Sequence, residues 1–302
     1  MNLAAGLIAS RFVHYLALSL LFGGALFPFY GISSPPSNHH QLPQWLVLLL
    51  RTAALFALLS GIAWLLFTAA GMSGSPAGMF DSNVLSTVVL DTAFGRVWIL
   101  RLIFAAALCV LAFSGPISRQ KHYALLAGSL VLLASIALTG HAGSDAGRFG
   151  FLHRTADGIH LIAAGVWIGA LVVLARLVVA AARGASSDEI ADLHHALAQF
   201  SGTGTAVVIA LSVTGLINPG FLASLTTLYG RVLLAKLGLF GCMLMFAAAN
   251  RFWLTPRLAV ALHAGVRFES ATGLLRASIL IETALGLLVL LTVAWLGTLA
   301  PP

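Results

Sequence analysis

The stretch RFVHYLALSLLFGGAL at Arg11–Leu26 returns, in a related form, as DGIHLIAAGVWIGAL at Asp157–Leu171. Aligning the two copies places His14 on His160, 146 residues apart, and a glycine on a glycine nine residues after each histidine. Both copies lie at the start of long apolar segments, so each histidine is predicted to lie in a membrane helix. Because a polar ring is costly to bury in lipid, such a histidine usually faces a partner, a cavity or a bound ion.

The composition of the whole chain is that of an integral membrane protein. Of the 302 residues, 60% are hydrophobic and 8% are charged, and the mean hydropathy is +1.00. A soluble domain of this length would aggregate with so little polar surface. The net charge of +7 reflects basic residues near the helix ends, so it gives no reason to propose a nucleic acid partner. The lipid bilayer is the expected surrounding.

Apolar segments long enough to cross about 30 Å of hydrocarbon predict eight transmembrane helices. They cover approximately residues 8–32, 44–70, 95–115, 122–141, 154–182, 200–217, 231–250 and 273–299. Lys and Arg are concentrated in the connections after predicted helices 3, 5 and 7, which places those connections in the cytoplasm. The chain is therefore predicted to be a multi-pass protein of the bacterial inner membrane with both termini in the periplasm.

The repeated motif belongs to a larger duplication. FGRVWILRL at Phe94–Leu102 in predicted helix 3 matches YGRVLLAKL at Tyr229–Leu237 in predicted helix 7, and helices 2 and 6 share a weaker SG/TG step. Two units with an even number of helices insert the same way up, related by an axis along the membrane normal. We predict an all-α membrane fold, a single domain of two parallel four-helix repeats at about 1–145 and about 146–302.

Predicted helices 1 and 5 carry the features expected at the contact between the repeats. Helices approach one another closely in lipid where small residues line the interface. Glycines of this kind are Gly23, Gly24, Gly165 and Gly169. Since the duplication puts His14 and His160 at the same depth, we expect their rings to form one site on the outer side.

Predicted helix 5 begins with HRTADGIH, in which His153, Asp157 and His160 follow one another at i, i+4 and i+7. At about 100° per residue these side chains share one face of the helix. The two histidines stand about 10 Å apart along the axis, too far to share one metal ion. We predict that they are successive stations for an ion, or parts of different sites, with Asp157 orienting the His160 ring.

Soft metal ligands lie on the same predicted outer side. Predicted helix 4 ends in TGHAGSDAG, which contains His141, and the GMSGSPAGMFDSN connection supplies Met72 and Met79. Thioether and imidazole ligands together favour Cu(I), and imidazole also suits Cu(II). The predicted metal ligands are His14, His160, His141, His153, Met72 and Met79.

Charged residues inside the predicted helices complete the candidate path. Glu282 lies about ten residues into predicted helix 8, near mid-membrane, where an ionised carboxylate is costly. It is interpreted as a protonated, hydrogen-bonded group, as the partner of a basic residue, or as a proton or metal relay. Arg11 and Asp157 hold equivalent repeat positions with opposite charge, which would allow an ion pair between the halves.

Several blocks together resemble the copper resistance D (CopD) family of bacterial inner-membrane proteins. They are RFVH at Arg11–His14, GHAG at Gly140–Gly143, HRTADGIHLIAAGVWIGAL at His153–Leu171, YGRVLLAKLGLF at Tyr229–Phe240 and ETALGLLVLLTVAWLGTLAPP at Glu282–Pro302. The resemblance implies copper transport from periplasm to cytoplasm in copper homeostasis or resistance. It also implies a periplasmic copper-binding CopC-like partner and no enzymatic activity.

Two other functions fit the same residues. His14 and His160 could ligate the iron of haem b axially, which would make the chain a b-type membrane cytochrome or metalloreductase. The outward Met and His loops are superfluous to a buried haem, so the sequence favours a copper ion, as Cu(I) or Cu(II). A scaffold that only recruits a periplasmic metallochaperone would need no path across the membrane and would leave Glu282 unexplained.

Overall fold

The structure is a computed structural model that describes residues 2–32, 42–139, 147–183, 187–216, 227–264 and 269–300. Within these ranges every regular element is helical and no strand occurs. Eight of the described helices are long and apolar enough to cross a membrane, which confirms the predicted number and the all-α membrane fold. The arrangement of the helices as two parallel repeats stays a prediction.

The eight spanning helices are numbered α1 to α8 in chain order. They are α1 Leu3–Leu26, α2 Gln44–Ser73, α3 Ala93–Phe113, α4 Arg119–Ser135, α5 Gly147–Ala181, α6 Ser187–Leu216, α7 Leu228–Ala249 and α8 Glu269–Leu296. Short helical turns extend or join them at Pro28–Gly31, Pro76–Met79, Ser82–Ser86, Thr87–Asp91, Ile136–Leu138, Asn250–Leu254 and Thr255–Ala264.

Two helices begin well before the apolar segments that predicted them. α5 starts at Gly147 and α6 at Ser187, several residues ahead of the predicted boundaries. Their first turns are rich in polar residues, which lower the hydropathy but do not oppose helix formation. Hydropathy detects only the part of a helix that lies in hydrocarbon, so both predicted segments are too short.

The starts of α3 and α7 are built in the same way. The hydroxyl of Thr92 accepts a hydrogen bond from Gly95 N at 2.8 Å, and that of Thr227 accepts one from Gly230 N at 3.1 Å. A threonine in this position satisfies one of the N–H groups left free at a helix start. The matching FGRV and YGRV motifs therefore set the basic residues that follow at the same distance from each helix start.

α1 and α5 cross at the centre of the molecule. A Cβ atom built on Gly169 would lie 2.5 Å from Cα of Gly23 and 3.0 Å from the carbonyl oxygen of Ser19, so no side chain fits there. In both helices 67% of the spanning window is buried, the highest value among the eight. The predicted close contact holds for Gly23 with Gly165 and Gly169, whereas Gly24 lies against leucines of α2. α1 also packs on α2, α4 and α8.

The second half is packed more loosely than the first. α2 lies along α3, whereas α6 and α7 have hardly any close backbone contact over their described residues. Only 22% of the α6 window and 11% of the α7 window is buried, and α7 packs mainly on α8. The outer faces of α6 and α7 are apolar and exposed, as lipid requires. A gap between the two helices leads into the second half.

Candidate functional site

His14 lies in the interior of the first half, against α2, and is 1% exposed. Its Nδ1 atom lies 3.0 Å from the carbonyl oxygen of Ala57 and 3.1 Å from Oγ of Ser60. The Ser60 hydroxyl itself donates to the carbonyl oxygen of Phe56 at 2.5 Å. Its oxygen can therefore only accept from the ring, so Nδ1 carries the ring proton and donates it to α2.

The other ring nitrogen of His14, Nε2, keeps its lone pair. It is buried and has no hydrogen-bond partner among the described residues. Histidines that bind metals usually share this arrangement, in which one nitrogen donates to an oxygen that orients the ring and the other presents its lone pair. The ring of His14 is thus oriented in advance for binding an electrophile such as a metal ion.

Aromatic side chains enclose His14. The centroid of its ring lies 5.7 Å from that of Trp64 and 5.5 Å from that of Trp98. Trp98 donates its indole N–H to the carbonyl oxygen of Gly61 at 3.0 Å. A Cβ atom on Gly61 would lie 3.3 Å from Cε1 of His14 and 2.9 Å from Cδ2 of Leu102, so this glycine lets α2 approach the ring.

A buried cation lies against Trp98. The guanidinium carbon of Arg101 is 4.4 Å from the Trp98 ring, and the side chain is 3% exposed. Arg101 donates to Oγ and the carbonyl oxygen of Ser135 and to the hydroxyl of Thr139. The positive charge of Arg101 repels positive charge at His14. The repulsion of a cation bound at His14 therefore grows with the charge of that cation.

His160 in the second half is held in the same way. Its Nδ1 lies 2.9 Å from Oγ1 of Thr214 on α6, and that hydroxyl donates to the carbonyl oxygen of Ala210 at 2.6 Å. The hydroxyl therefore accepts from Nδ1–H, which leaves the lone pair on Nε2. The charge of Lys236 acts on His160 as that of Arg101 acts on His14. His160, unlike His14, is only half-buried.

The hydrogen-bond partners of the two histidines belong to different halves. Ser60 on α2 orients His14, and Thr214 on α6 orients His160. Each ring thus faces a neighbouring helix of its own half. A single site shared by His14 and His160 stays a prediction.

The two halves differ at the position three residues before each histidine. Arg11 lies 4.6 Å from the Trp64 ring and donates to the carbonyl oxygen of Gly297, at the end of α8. Asp157 instead carries a negative charge that acts on Lys236 and Tyr229. An ion pair between Arg11 and Asp157 stays a prediction.

Glu282 lies in the interior of the second half and is 2% exposed. Its Oε1 accepts the indole N–H of Trp167 at 3.0 Å, and its Oε2 accepts Nδ2 of Asn250 at 2.8 Å. Trp167 follows His160 by seven residues on α5, so the two side chains share a helix face about 10 Å apart. α5 therefore connects the His160 and Glu282 positions.

The structure describes three of the four predicted outer ligands. Met72 is 57% exposed and follows Ser60 by twelve residues on α2, about 18 Å along the axis. Met79 is buried in the turn after α2, and His153 is half-buried on α5. His141 lies outside the described residues. Within the described residues no three His, Cys, Asp or Glu side chains are grouped so that they could hold a metal ion.

Four residues of this arrangement were missed by the sequence analysis. Ser60 and Thr214 precede the glycines of the SG/TG step, so the repeat itself contained the signal for the two orienting hydroxyls. Trp167 and Asn250 gave no signal, because their role depends on a carboxylate that approaches from another helix.

The fold and these side chains define a polytopic membrane protein with one buried and one half-buried imidazole, each held by a hydrogen bond to a neighbouring helix, and one buried carboxyl group. The family profile described as "Copper resistance protein D-like, N-terminal domain" matches residues 1–151, and that described as "Copper resistance protein D" matches residues 194–296. The chain belongs to the copper resistance protein D family, which confirms the resemblance.

Three curated relatives extend over nearly the whole chain. Copper resistance protein D of Pseudomonas syringae pv. tomato is 34% identical, over 97% of this chain and 96% of that protein. Inner membrane protein YebZ of Escherichia coli (strain K12) is 31% identical, over 97% and 98%. Copper transport protein CutJ of Bacillus subtilis (strain 168) is 29% identical, over 98% of this chain and 53% of that protein. No solved structure matches the chain significantly.

Proposed function

We propose that this protein binds copper inside the bacterial inner membrane and transports it from the periplasm to the cytoplasm, without enzymatic turnover. The observation that carries the proposal is Nε2 of His14, a buried nitrogen to which no group in the described part of the chain is hydrogen-bonded. Such an atom is unfavourable unless something binds it. The names of two relatives, copper resistance protein D and copper transport protein CutJ, support copper as that ligand.

The transported ion is Cu(I). Arg101 places a positive charge next to His14, and the repulsion of a divalent ion would be about twice that of a monovalent one at the same distance. Imidazole and thioether ligands suit Cu(I). Because Cu(I) accepts few ligands, it also fits the described residues, among which no three His, Cys, Asp or Glu side chains are grouped.

The path of the ion follows one face of α5 in the second half. His153, His160 and Trp167 are spaced by seven residues, about 10 Å each along the helix axis. Trp167 donates a hydrogen bond to Glu282. Together these groups form a line from the outer end of α5 to a carboxyl group in the interior, where Glu282 acts as a relay. Asp157 offsets the charge of Lys236 beside this line.

The outer end of the path collects the ion. Met72 in the last turn of α2, Met79 in the turn after it and His141 after α4 supply the soft ligands, on the side that the charge distribution predicts to be outside. A periplasmic CopC-like protein is the proposed donor of the ion. The name of the relative YebZ, an inner membrane protein, supports the assignment to that membrane.

A titration of the purified protein in lipid nanodiscs tests copper binding. Cu(I) is distributed between the protein and a chromophoric Cu(I) chelator under anaerobic conditions. The test variant His14→Phe keeps an aromatic ring between Trp64 and Trp98 and removes both nitrogens. The control is His122→Phe: His122 is 2% exposed, but its Nε2 is bonded to the carbonyl oxygen of Ala25 at 2.7 Å and its ring stacks on Phe29.

We expect the affinity for Cu(I) to fall at least tenfold in His14→Phe and to change less than twofold in His122→Phe. Equal affinities in the two variants, at equal thermal stability, would overturn the role of His14. An absorption spectrum of the purified protein provides a second check. A Soret band would show that the histidines bind haem and not copper.

A further inference from the structure

The helical segment that extends α7, Asn250–Ala264, has one buried side and one exposed side. On the buried side Leu258 is 0% exposed, in a core that it shares with α5, α6 and α8. On the other side Phe252 and Trp253 are each 64% exposed and Val260 is 68% exposed. An exposed apolar face of this kind marks a surface that a membrane or a ligand covers.

The exposed face lies at the level of the lipid headgroups. Arg231 and Arg251 are both exposed and stand twenty residues apart on one long helix, which is about 30 Å along its axis. This length equals the thickness of the hydrocarbon layer, and exposed arginines reach the headgroups at its edges. The residues after Arg251 therefore lie at one edge, on the side that the charge distribution predicts to be cytoplasmic.

A groove of about 340 Å³ runs over the exposed face. It is lined by Phe252, Trp253, Pro256, Arg257 and Val260. Two of these side chains carry polar groups, the indole N–H of Trp253 and the guanidinium of Arg257, and both groups are donors. Both side chains are exposed, so a ligand can reach them, and neither has a hydrogen-bond partner among the described residues. An occupant must therefore supply acceptors.

The charge of the segment favours a ligand with a net negative charge. Asn250–Ala264 contains two arginines and no Asp or Glu. Arg251 already donates to the carbonyl oxygen of Ser201 at 2.9 Å and to the hydroxyl of Thr205, so Arg257 is the arginine whose donors are available. A headgroup with its own cation, such as choline, would find no carboxylate in the segment to pair with.

We propose that this groove binds an anionic phospholipid of the surrounding membrane through its phosphodiester group. The phosphate oxygens accept from the Arg257 guanidinium, whose fork of N–H groups matches them, and from the indole N–H of Trp253. The acyl chains lie against Phe252 and Val260. A free phosphate ion would suit the donors but would leave this apolar face uncovered.

The inference goes beyond copper transport and does not depend on it. The groove lies next to Asn250, which donates from the end of α7 to Glu282 at 2.8 Å. A bound lipid would therefore hold the segment on which this hydrogen bond depends.

Thermal unfolding of the copper-free protein, delipidated in a non-ionic detergent, tests the inference. A ligand that binds the folded state raises the unfolding temperature in a saturable manner. The probes are dioctanoyl phosphatidylglycerol, dioctanoyl phosphatidylcholine, dioctanoylglycerol and inorganic phosphate. We expect a saturable rise with phosphatidylglycerol and at least a fivefold weaker dissociation constant for phosphatidylcholine. Dioctanoylglycerol, which lacks the phosphate, and inorganic phosphate, which lacks the chains, should give no rise.

Two variants with matched controls locate the site. Arg257→Gln removes the charge, and its control is Arg183→Gln, which removes an exposed arginine just after α5. Trp253→Phe keeps an aromatic ring but removes the N–H, and its control is Trp295→Phe near the other end of α8, where the ring is 40% exposed. The dissociation constant for phosphatidylglycerol should rise at least tenfold in Arg257→Gln and at least threefold in Trp253→Phe, and less than twofold in either control.

Four outcomes would overturn the inference. They are equal affinities for phosphatidylglycerol and phosphatidylcholine, no stabilisation of the wild-type protein by phosphatidylglycerol, equal stabilisation by inorganic phosphate, and unchanged binding in Arg257→Gln. The comparison of the probes uses the wild-type protein, so it decides the question even if a variant does not fold. Because copper is absent throughout, the result is separate from the test of copper binding.

Discussion

Trp167 donates its indole N–H to Oε1 of Glu282 at 3.0 Å, which ties α5 to α8 in the interior of the second half. Asn250 donates to the other carboxylate oxygen from the end of α7. Three helices therefore meet at one carboxyl group. α5 also carries His160, seven residues before Trp167. A change at Glu282 is therefore linked to His160 through Trp167 and the rigid helix α5.

Glu282→Gln is expected to keep the fold and to lower copper accumulation. The Gln carbonyl oxygen can accept from Trp167, and the amide of Asn250 can turn so that its unpartnered Oδ1 accepts from the new NH₂ group. The proposed relay function would be lost because an amide does not carry a proton or bind a cation as a carboxylate does. Copper uptake is measured in cells at matched protein levels.

The control for this change is Glu189→Gln, which alters an exposed carboxylate near the start of α6. Its uptake should equal that of the wild type. If Glu282→Gln also transports copper at the wild-type rate, Glu282 is only a structural hydrogen-bond acceptor.

Met72→Leu is expected to slow copper uptake at low external copper. Met72 is 57% exposed at the end of α2, and leucine keeps its size while removing the thioether ligand. The matched control is Met245→Leu, since Met245 is 72% exposed on α7 but lies within a spanning segment. Equal uptake by the two methionine variants would remove Met72 from the path.

By the same reasoning His141→Ala should weaken copper binding more than His263→Ala.

Gly169→Ala is expected to destabilise the protein by about 1–3 kcal/mol, the usual cost of an overpacked contact. The added methyl group would lie 2.5 Å from Cα of Gly23, so α1 and α5 must move apart. Gly158→Ala on the same helix is the control, because nothing lies within 4 Å of its Cβ position. It should be neutral or stabilising, since alanine favours a helix over glycine. Thermal unfolding in detergent compares the two.

The parts of the molecule that lipid determines could be predicted from the sequence. Hydropathy finds the eight helices because only long apolar segments are stable in hydrocarbon. The gap between α6 and α7 could not be predicted in this way. A leucine that faces lipid and one that faces a neighbouring helix are equally apolar, so composition does not say which helices touch. Gly61 and Gly215 illustrate this, since the same step packs against Leu102 in one half and faces open space in the other.

The two candidate histidines could be chosen from the sequence, but the residues that orient their rings could not. His14 and His160 stand out as polar residues in apolar helices. The sequence predicted that Asp157, three residues away on the same helix, would orient His160. The bond to Nδ1 comes instead from Thr214 on α6, a contact between helices that one helix's periodicity cannot reveal.

The hydroxyls that orient the two histidines should contribute unequally to copper binding. In Thr214→Val, Nδ1 of His160 loses the partner that fixes its tautomer. In Ser60→Ala, Nδ1 of His14 still donates to the carbonyl oxygen of Ala57 at 3.0 Å. Removing the group that orients a metal-binding histidine typically lowers affinity about 10–100-fold. We expect a loss of this size in Thr214→Val and a smaller one in Ser60→Ala. Thr214→Ser should restore wild-type affinity, because serine keeps the accepting hydroxyl. Cu(I) competition titrations of the three variants provide the measurement, and a loss that Thr214→Ser fails to restore would mean that the methyl group, not the hydroxyl, matters at this position.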